Sequence, residues 1–388
     1  MKKTLYRILF AASLMAAPGF CQSPAPASPA PAAAAGTPEQ PLLDYSLSFD
    51  TYSETKLNGD FTSDNLLRNF DIASDRFELG AATLTVQLSK GPFGFHFDSG
   101  YGEIYKTMNA SDPWGGPNRY FGQAYVSVRP FKASDFELDF GKFYTSVGAE
   151  VPDAASNFQY SRSLLFTLGS PYYHFGLRAS KSVTPSLVVG VQVLNGWNDV
   201  VNNTGGQTLG LTSTYTKKRF NWSETYLAGP EPVFLSDIPM SDITLPYAVR
   251  PKKLSQLIDS VLKLTPTARL NAYVETLYGE EKSWTEGRDH WYGVAGAVTI
   301  PIAARWSVSP RWEYYNDATG ATTGVAQQVQ EVTATLQYQP RVPAFTARAE
   351  FRCDFSDKPF FDNNGTTAGS RRQPTALLAL LYTWKGKQ

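Results

Sequence analysis

The chain of 388 residues carries 35 basic and 35 acidic side chains, so its formal net charge is zero and it lacks the cationic excess of a nucleic-acid binder. Beyond the N-terminal leader, no apolar run reaches the ~18 residues of a membrane-spanning helix. Aromatic residues make up 14% of the chain, which suits a protein that concentrates them where water meets lipid.

At the start, Lys2, Lys3 and Arg7 flank the apolar stretch from Ile8 to Ala17. That stretch is too short to cross a bilayer and reads as a secretory signal over residues 1–21, with cleavage near 19–22. Acylation of Cys21 would need a small residue where Phe20 stands. If Cys21 leaves with the leader, Cys353 is the sole thiol and no intramolecular disulfide is expected. Residues 22–41, rich in Pro and Ala, lack the apolar surface to pack and read as an extended tether.

From Leu42 onward, apolar and polar residues alternate with the period of a strand. Leu43, Tyr45, Leu47 and Phe49 interleave with Asp44, Ser46, Ser48 and Asp50. Phe136, Leu138 and Phe140 interleave with Asp135, Glu137 and Asp139; Trp306, Val308, Pro310, Trp312 and Tyr314 with Arg305, Ser307, Ser309, Arg311 and Glu313; Ala347, Ala349, Phe351 and Cys353 with Arg348, Glu350, Arg352 and Asp354. Strand starts fall near Leu42, Arg76, Phe93, Arg119, Ser134, Tyr172, Ser186, Gln207, Arg219, Leu254, Ala268, His290, Ala304, Gln328, Pro343 and Pro374. Around Leu254 a helix face also fits, but Thr265-Pro266-Thr267 favours a hairpin. A phase change near Gly80 suggests a bulge.

Alternation alone suits either a soluble sheet with a dry core or a membrane barrel with a wet one. The links decide between them. Tight turns around Gly91, Phe131, Thr184, Lys218, Pro266, Ala303 and Arg341 alternate with long links at 54–75, 108–118, 145–171, 195–206, 229–253, 280–289, 317–327 and 356–373. A sandwich has no reason to gather its long loops at one end, whereas a transmembrane barrel does. Tyr144, Tyr172, Trp291, Tyr292, Tyr314, Tyr315, Tyr382 and Trp384 suit aromatic girdles near strand ends. The fold class expected is all-β: a transmembrane antiparallel up-and-down barrel of sixteen strands over residues 42–384, with both termini periplasmic and a tail over 385–388.

The stretch 147–180, with Gly148-Ala149-Glu150-Val151, Asn157, Tyr160-Ser161-Arg162-Ser163, Pro171, His174 and Gly176, resembles the putative beta-barrel porin-2 (OmpL-like) family of bacterial outer-membrane proteins. Asn195-Gly196-Trp197 and Gly229-Pro230-Glu231 are similar to it as well. The resemblance implies an outer-membrane pore and names no solute. In one departure, outer-membrane barrels end on an aromatic residue that assembly factors recognise, whereas Lys385-Gly386-Lys387-Gln388 follows Trp384.

By analogy with sixteen-stranded porins, the loop 145–171 is expected to fold into the lumen as a constriction. Glu150 and Asp153 would supply its negative charge, opposite Arg178, Arg305, Arg311, Arg348 and Arg352 on polar strand faces. Arg348, Glu350, Arg352 and Asp354 equally suit cross-strand pairing, and Arg162 and Asn157 suit anchoring of the loop. His174 completes the expected pore-lining set. No metal-ligand spacing joins His96, His174 and His290, and no catalytic or cofactor motif stands out; Ser161 or Ser163 with His174 is the one pair worth testing for hydrolysis. Asp362-Asn363-Asn364-Gly365 reads as a turn rather than a calcium loop. The expected function is passive diffusion of small hydrophilic solutes and ions. The alternatives are a channel selective for sugars or organic acids, with Tyr273 and Phe143 as an inward aromatic track, or a plugged barrel serving as adhesin or hydrolase. Expected partners are outer-membrane lipid and lipopolysaccharide, the barrel-assembly machinery, the solutes and, by resemblance, two further copies in a trimer.

Overall fold

The computed structural model describes residues 42–58, 64–110, 117–131, 134–202, 204–232, 252–267, 269–283, 287–341, 344–362 and 369–387. The expected leader, the tether, Cys21, most of the 229–253 link and Asn363, Asn364 and Gly365 of the expected turn lie outside the described residues.

Sixteen strands close into one barrel: β1 Leu42–Lys56, β2 Arg76–Lys90, β3 Phe93–Tyr101, β4 Phe121–Val128, β5 Glu137–Tyr144, β6 Tyr173–Thr184, β7 Leu187–Leu194, β8 Thr208–Lys217, β9 Phe220–Pro232, β10 Lys252–Thr267, β11 Leu270–Ser283, β12 Arg288–Ala303, β13 Trp306–Asp317, β14 Gln327–Tyr338, β15 Phe345–Ser356 and β16 Arg372–Lys387. Every start lies within three residues of its sequence expectation. Each strand pairs antiparallel with its chain neighbours, and β1 pairs with β16 to close the ring. No edge is left open, as a structure surrounded by hydrocarbon requires. The segment from Leu254 is strand, paired with both β9 and β11.

The two faces separate by parity. Along β14, Gln327, Val329, Glu331, Thr333 and Thr335 are buried inside, while Gln328, Gln330, Val332, Ala334 and Leu336 face out. Along β13, Ser309, Arg311, Glu313, Tyr315 and Asp317 point in. Leu47, Phe49, Leu84, Phe93, Phe140, Leu209, Trp312, Leu378 and Leu380 are exposed on the outside. Exposed greasy surface of this extent, wrapped around a charged interior, is stable only in contact with lipid. Of the expected girdle, Tyr292, Tyr314, Tyr382 and Trp384 lie on the outer face, Trp384 edge-on to Tyr45 at 5.4 Å. Trp291 and Tyr315 point inward instead and are buried, as is Tyr172 in its loop, while Tyr144 lines the lumen.

Gly80 is bulged where the β1–β2 register shifts between Asp50 and Thr51. A Cβ there would stand 1.7 Å from Asp50 Oδ1, so the close approach requires glycine. Pro310 stands inside β13 although it has no N–H to give. The β12–β13 ladder omits pairing at Val298, Thr299, Ser309 and Pro310, and the Thr299 and Ser309 hydroxyls, 2.9 Å apart, bridge the gap. The expected tail is not separate. Lys385, Gly386 and Lys387 continue β16 against Ser46, Tyr45 and Asp44, because β1 begins early enough to pair with them.

Candidate functional site

A loop inside a barrel has peptide groups that no ladder satisfies, so its path must be written in wall side chains. The 145–172 loop between β5 and β6 shows this directly. Asp259 on β10 accepts from Gly148 N and Glu275 on β11 from Ala149 N, both at 2.9 Å. Glu350 on β15 accepts from Tyr160 N at 2.8 Å and Ser161 N at 3.1 Å. Arg348 donates to the carbonyls of Ala154, Asn157 and Gln159 at 2.7, 2.8 and 3.0 Å, and Arg352 to that of Arg162 at 2.6 Å. Trp291 Nε1 donates to Gly169 O at 3.0 Å. The loop thus crosses the lumen and docks on β10 to β15. Its residues Gln159, Ser161, Ser163, Leu164 and Leu165 have no exposed surface.

Glu150 is a loop residue turned toward the wall. Its carboxylate pairs with Arg311 at 2.7 Å, accepts from Tyr273 Oη at 3.2 Å and closes back on Ser163 N at 2.7 Å. Arg311 also donates to Ser161 O and meets Glu313 and Glu331 at 3.1 and 3.0 Å. Arg162 donates to Tyr160 O and Pro152 O within its own loop, and Asn157 bonds both backbone groups of Val151. Tyr160 Oη donates to Asp50 at 2.8 Å. Burial, reinforced by the Asp50 charge, raises the Tyr160 hydroxyl well above its ordinary range and keeps it a donor.

Several expectations for solute-facing charge are therefore corrected. Glu150 and Arg162 are buried within the loop, and Arg311, Arg348, Glu350 and Arg352 are buried beneath it, all spent on loop contacts, since the loop's carbonyls and amides needed partners more than the lumen needed bare charge. His174 is fully buried, bonded to Gly196 O at 2.9 Å and Thr145 Oγ1 at 3.2 Å, so it ties two loops together. Neither Ser161 nor Ser163 is its partner: Arg311 contacts the Ser161 hydroxyl, and the Ser163 hydroxyl accepts from Phe166 N. Tyr273 and Phe143 pack against the loop rather than forming an open track. Arg305 sits in the tight turn between β12 and β13, not on a strand face, because the strand starts at Trp306.

Three of the expected residues reach open lumen. Below the loop, toward the short-turn end, lies a cavity of ≈ 1600 Å³ whose lining includes Asp153, Arg178 and Arg305. Val151, Pro152 and Asp153 line it from the loop, and Asp98, Gln123, Tyr125 and Asp139 from β3 to β5. Arg178 pairs with Asp139 at 2.7 Å and lies over the Phe143 and Tyr125 rings at 4.4 and 5.1 Å. Arg305, Arg341 and Lys385 stand at the short-turn mouth with no carboxylate partner among the described residues.

Sequence reasoning missed a second inserted loop. In 64–75, Arg68 meets Glu54, Asp71 and Asp354, the last at 2.9 Å, all fully buried. Burial alone would favour loss of the Arg68 proton, but those three carboxylates outweigh it and hold the guanidinium charged. Phe70 packs against Phe166 and Tyr172 at 5.7 and 5.1 Å, so the two loops interlock. The signal was available: Leu66, Leu67 and Phe70 set among Asn65, Arg68, Asn69 and Asp71 make a poor solvated loop.

Known structures share the architecture. OmpT, an outer membrane protein of Vibrio cholerae, is 11% identical over 90% of this chain and 100% of its own, with a TM-score of 0.60. The outer membrane channel DcaP of Acinetobacter baumannii is 12% identical over 88% of this chain and 97% of its own, with a TM-score of 0.57. An anion-selective porin from Comamonas acidovorans is 9% identical over 89% and 99%, with a TM-score of 0.53. No curated protein matches the sequence. At these identities the likeness establishes a common barrel. Family membership rests on the sequence itself: residues 43–383 match the family described as Putative beta-barrel porin-2, OmpL-like, and the chain belongs to that family.

Proposed function

We propose that the barrel is a general diffusion porin of an outer membrane, with the short-turn end and both termini on the periplasmic side and the 145–172 loop setting its size limit. The observation that carries this reading is the cavity of ≈ 1600 Å³, lined largely by hydroxyl, amide and charged residues, within a closed barrel whose outer face is apolar. A solute entering from the short-turn end meets Arg305, Arg341 and Lys385, then the part of the cavity lined by Asp153, Asp98 and Gln123. The barrel is non-enzymatic in this reading, for Ser161, Ser163 and His174 are committed to loop contacts. Residues 1–21 act as an export leader and 22–41 as a periplasmic tether. Assembly into a trimer draws support from the trimer form reported for OmpT of Vibrio cholerae. Purified protein in a planar bilayer should give discrete conductance steps that rise with salt and fall as neutral polymers small enough to enter are added. A folded, inserted sample that carries no current would refute the proposal.

A further inference from the structure

Arg178 presents a charged fork to the lumen from midway along β6. Its Nε donates to Asp139 Oδ2 at 2.7 Å, and Asp139 Oδ1 accepts from Ser127 Oγ at 2.5 Å. Among the described residues, no hydrogen bond engages Nη1 or Nη2. The guanidinium is packed against swinging away to find one. Its carbon lies 4.4 Å from the Phe143 ring centre and 5.1 Å from that of Tyr125, and the two rings stand edge to face at 6.4 Å. His96 stacks on Tyr125 at 5.0 Å and is fixed in turn by Gln87 at 3.0 Å and Gln123 at 3.1 Å. On the other side, Gln192 faces Arg178 across the β6–β7 ladder and donates to Ser146 Oγ at 2.8 Å. That bond leaves the Ser146 hydroxyl its own proton to give. Ser146, Gln192 and Tyr125 line the ≈ 1600 Å³ cavity together with Arg178.

A fixed guanidinium edge with open N–H groups suits a planar anion, because two parallel donors match the two oxygens of a carboxylate. We propose that Arg178 forms a lumen binding site for small monocarboxylates, with the Tyr125 and Ser146 hydroxyls as secondary donors. Two features set the charge of the ligand. The first is Asp139, which offsets the Arg178 charge, while Asp98, held by Gln123 at 2.7 Å, lines the same cavity. A dianion such as sulfate meets these carboxylates with greater repulsion and gains the same fork, so a single negative charge fits best. The second is the approach. Each of the seven short turns carries a lysine or arginine in it or within three residues of it, from Lys90 to Arg341, although the whole chain has no net charge. Of the acids near those turns, Asp44 meets Lys387 at 3.6 Å, Glu137 pairs with Arg129, and Asp135 accepts from Ser182 N at 3.2 Å. The short-turn mouth therefore raises the local concentration of anions, which favours an acid over a neutral sugar. In a wet lumen such a pair is screened enough to release its solute, as conduction needs.

The role of this site in transport rests on the porin reading, but its occupancy can be measured without current. Full-length protein in detergent micelles is titrated with butyrate, and binding is read by saturation-transfer NMR of the ligand, with glucose and sulfate as controls. Butyrate should bind more tightly than either. Arg178→Gln should weaken it about tenfold or more, and Arg178→Lys, which keeps a cation beside Asp139 but not the fork, should weaken it nearly as much. Asp139→Asn should act in the opposite direction, tightening butyrate and raising sulfate further, which a mere loss of packing would not do. Glucose binding as tight as butyrate, undiminished butyrate binding in either Arg178 variant, or weaker sulfate binding in Asp139→Asn would each overturn the assignment. A barrel that conducts yet gives no butyrate signal refutes the site and leaves the porin standing; one that binds butyrate and carries no current does the reverse.

Discussion

Removing one guanidinium should unfasten the constriction without touching the barrel. Arg348 holds three carbonyls of the 154–159 segment at 2.7 to 3.0 Å from a side chain that is almost wholly buried. Hydrogen bonds to a charged group contribute about 1.5–3 kcal/mol each, so the lower figure gives ~4.5 kcal/mol for the three. Water entering the vacated space would recover about half, leaving ~2 kcal/mol. At 1.4 kcal/mol per power of ten, Arg348→Ala should open the segment about 30- to 1600-fold more often. Amide hydrogen exchange followed by mass spectrometry would read this as faster exchange confined to 154–164, with the strands protected as before. Single-channel records should show higher and noisier conductance. Arg348→Lys keeps the charge but not the fork and should fall between. Unchanged exchange in this segment would refute the view that wall arginines act as loop anchors.

Three further outcomes follow from the same geometry. Replacing Arg305, Arg341 and Lys385 together with Ala should shift the reversal potential in a salt gradient toward cations, most clearly near 10 mM salt where screening reaches ~30 Å, whereas Arg348→Ala should not move it. Gly80→Ala places a methyl 1.7 Å from Asp50 Oδ1 and 2.5 Å from Tyr160 Oη, so it should reproduce the conductance change of Tyr160→Phe; an unaltered channel would count against that contact. Asp317 accepts from the backbone of Gly320, Ala321, Thr322 and Thr323 and from two hydroxyls, so Asp317→Ala should cost ~2–3 kcal/mol locally and expose 318–325 to limited proteolysis at unchanged conductance.

The barrel was legible because a strand with one face in lipid and one in water must alternate, and the alternation survives in residues such as Trp312, Glu313 and Tyr314. Where both faces are apolar the parity is lost. Trp291 and Tyr292 precede Gly293, Val294, Ala295, Gly296 and Ala297, and nothing in that run says which ring faces out. Tyr315 was decidable, since Trp312 fixes Tyr314 outward and Tyr315 inward. The bulge at Gly80 was also written locally. What a polar wall residue does was not. Arg178 and Arg348 look alike in sequence, yet one lines open cavity and the other is buried under a loop whose path depends on contacts far along the chain.

That distance orders how the protein can be made. The wall side chains that satisfy the peptide groups of 148–162 lie from 111 residues further on, at Asp259, to 194 further on, at Arg348. When the loop emerges, the groups that will satisfy its peptides do not yet stand in a wall, and closing contacts of such long separation is slow. The seating of this segment is therefore a late event, after the hairpins to β15 have joined. A growing barrel stays hollow until its circumference is nearly complete, and the narrowing of the lumen serves as an internal signature that assembly has finished.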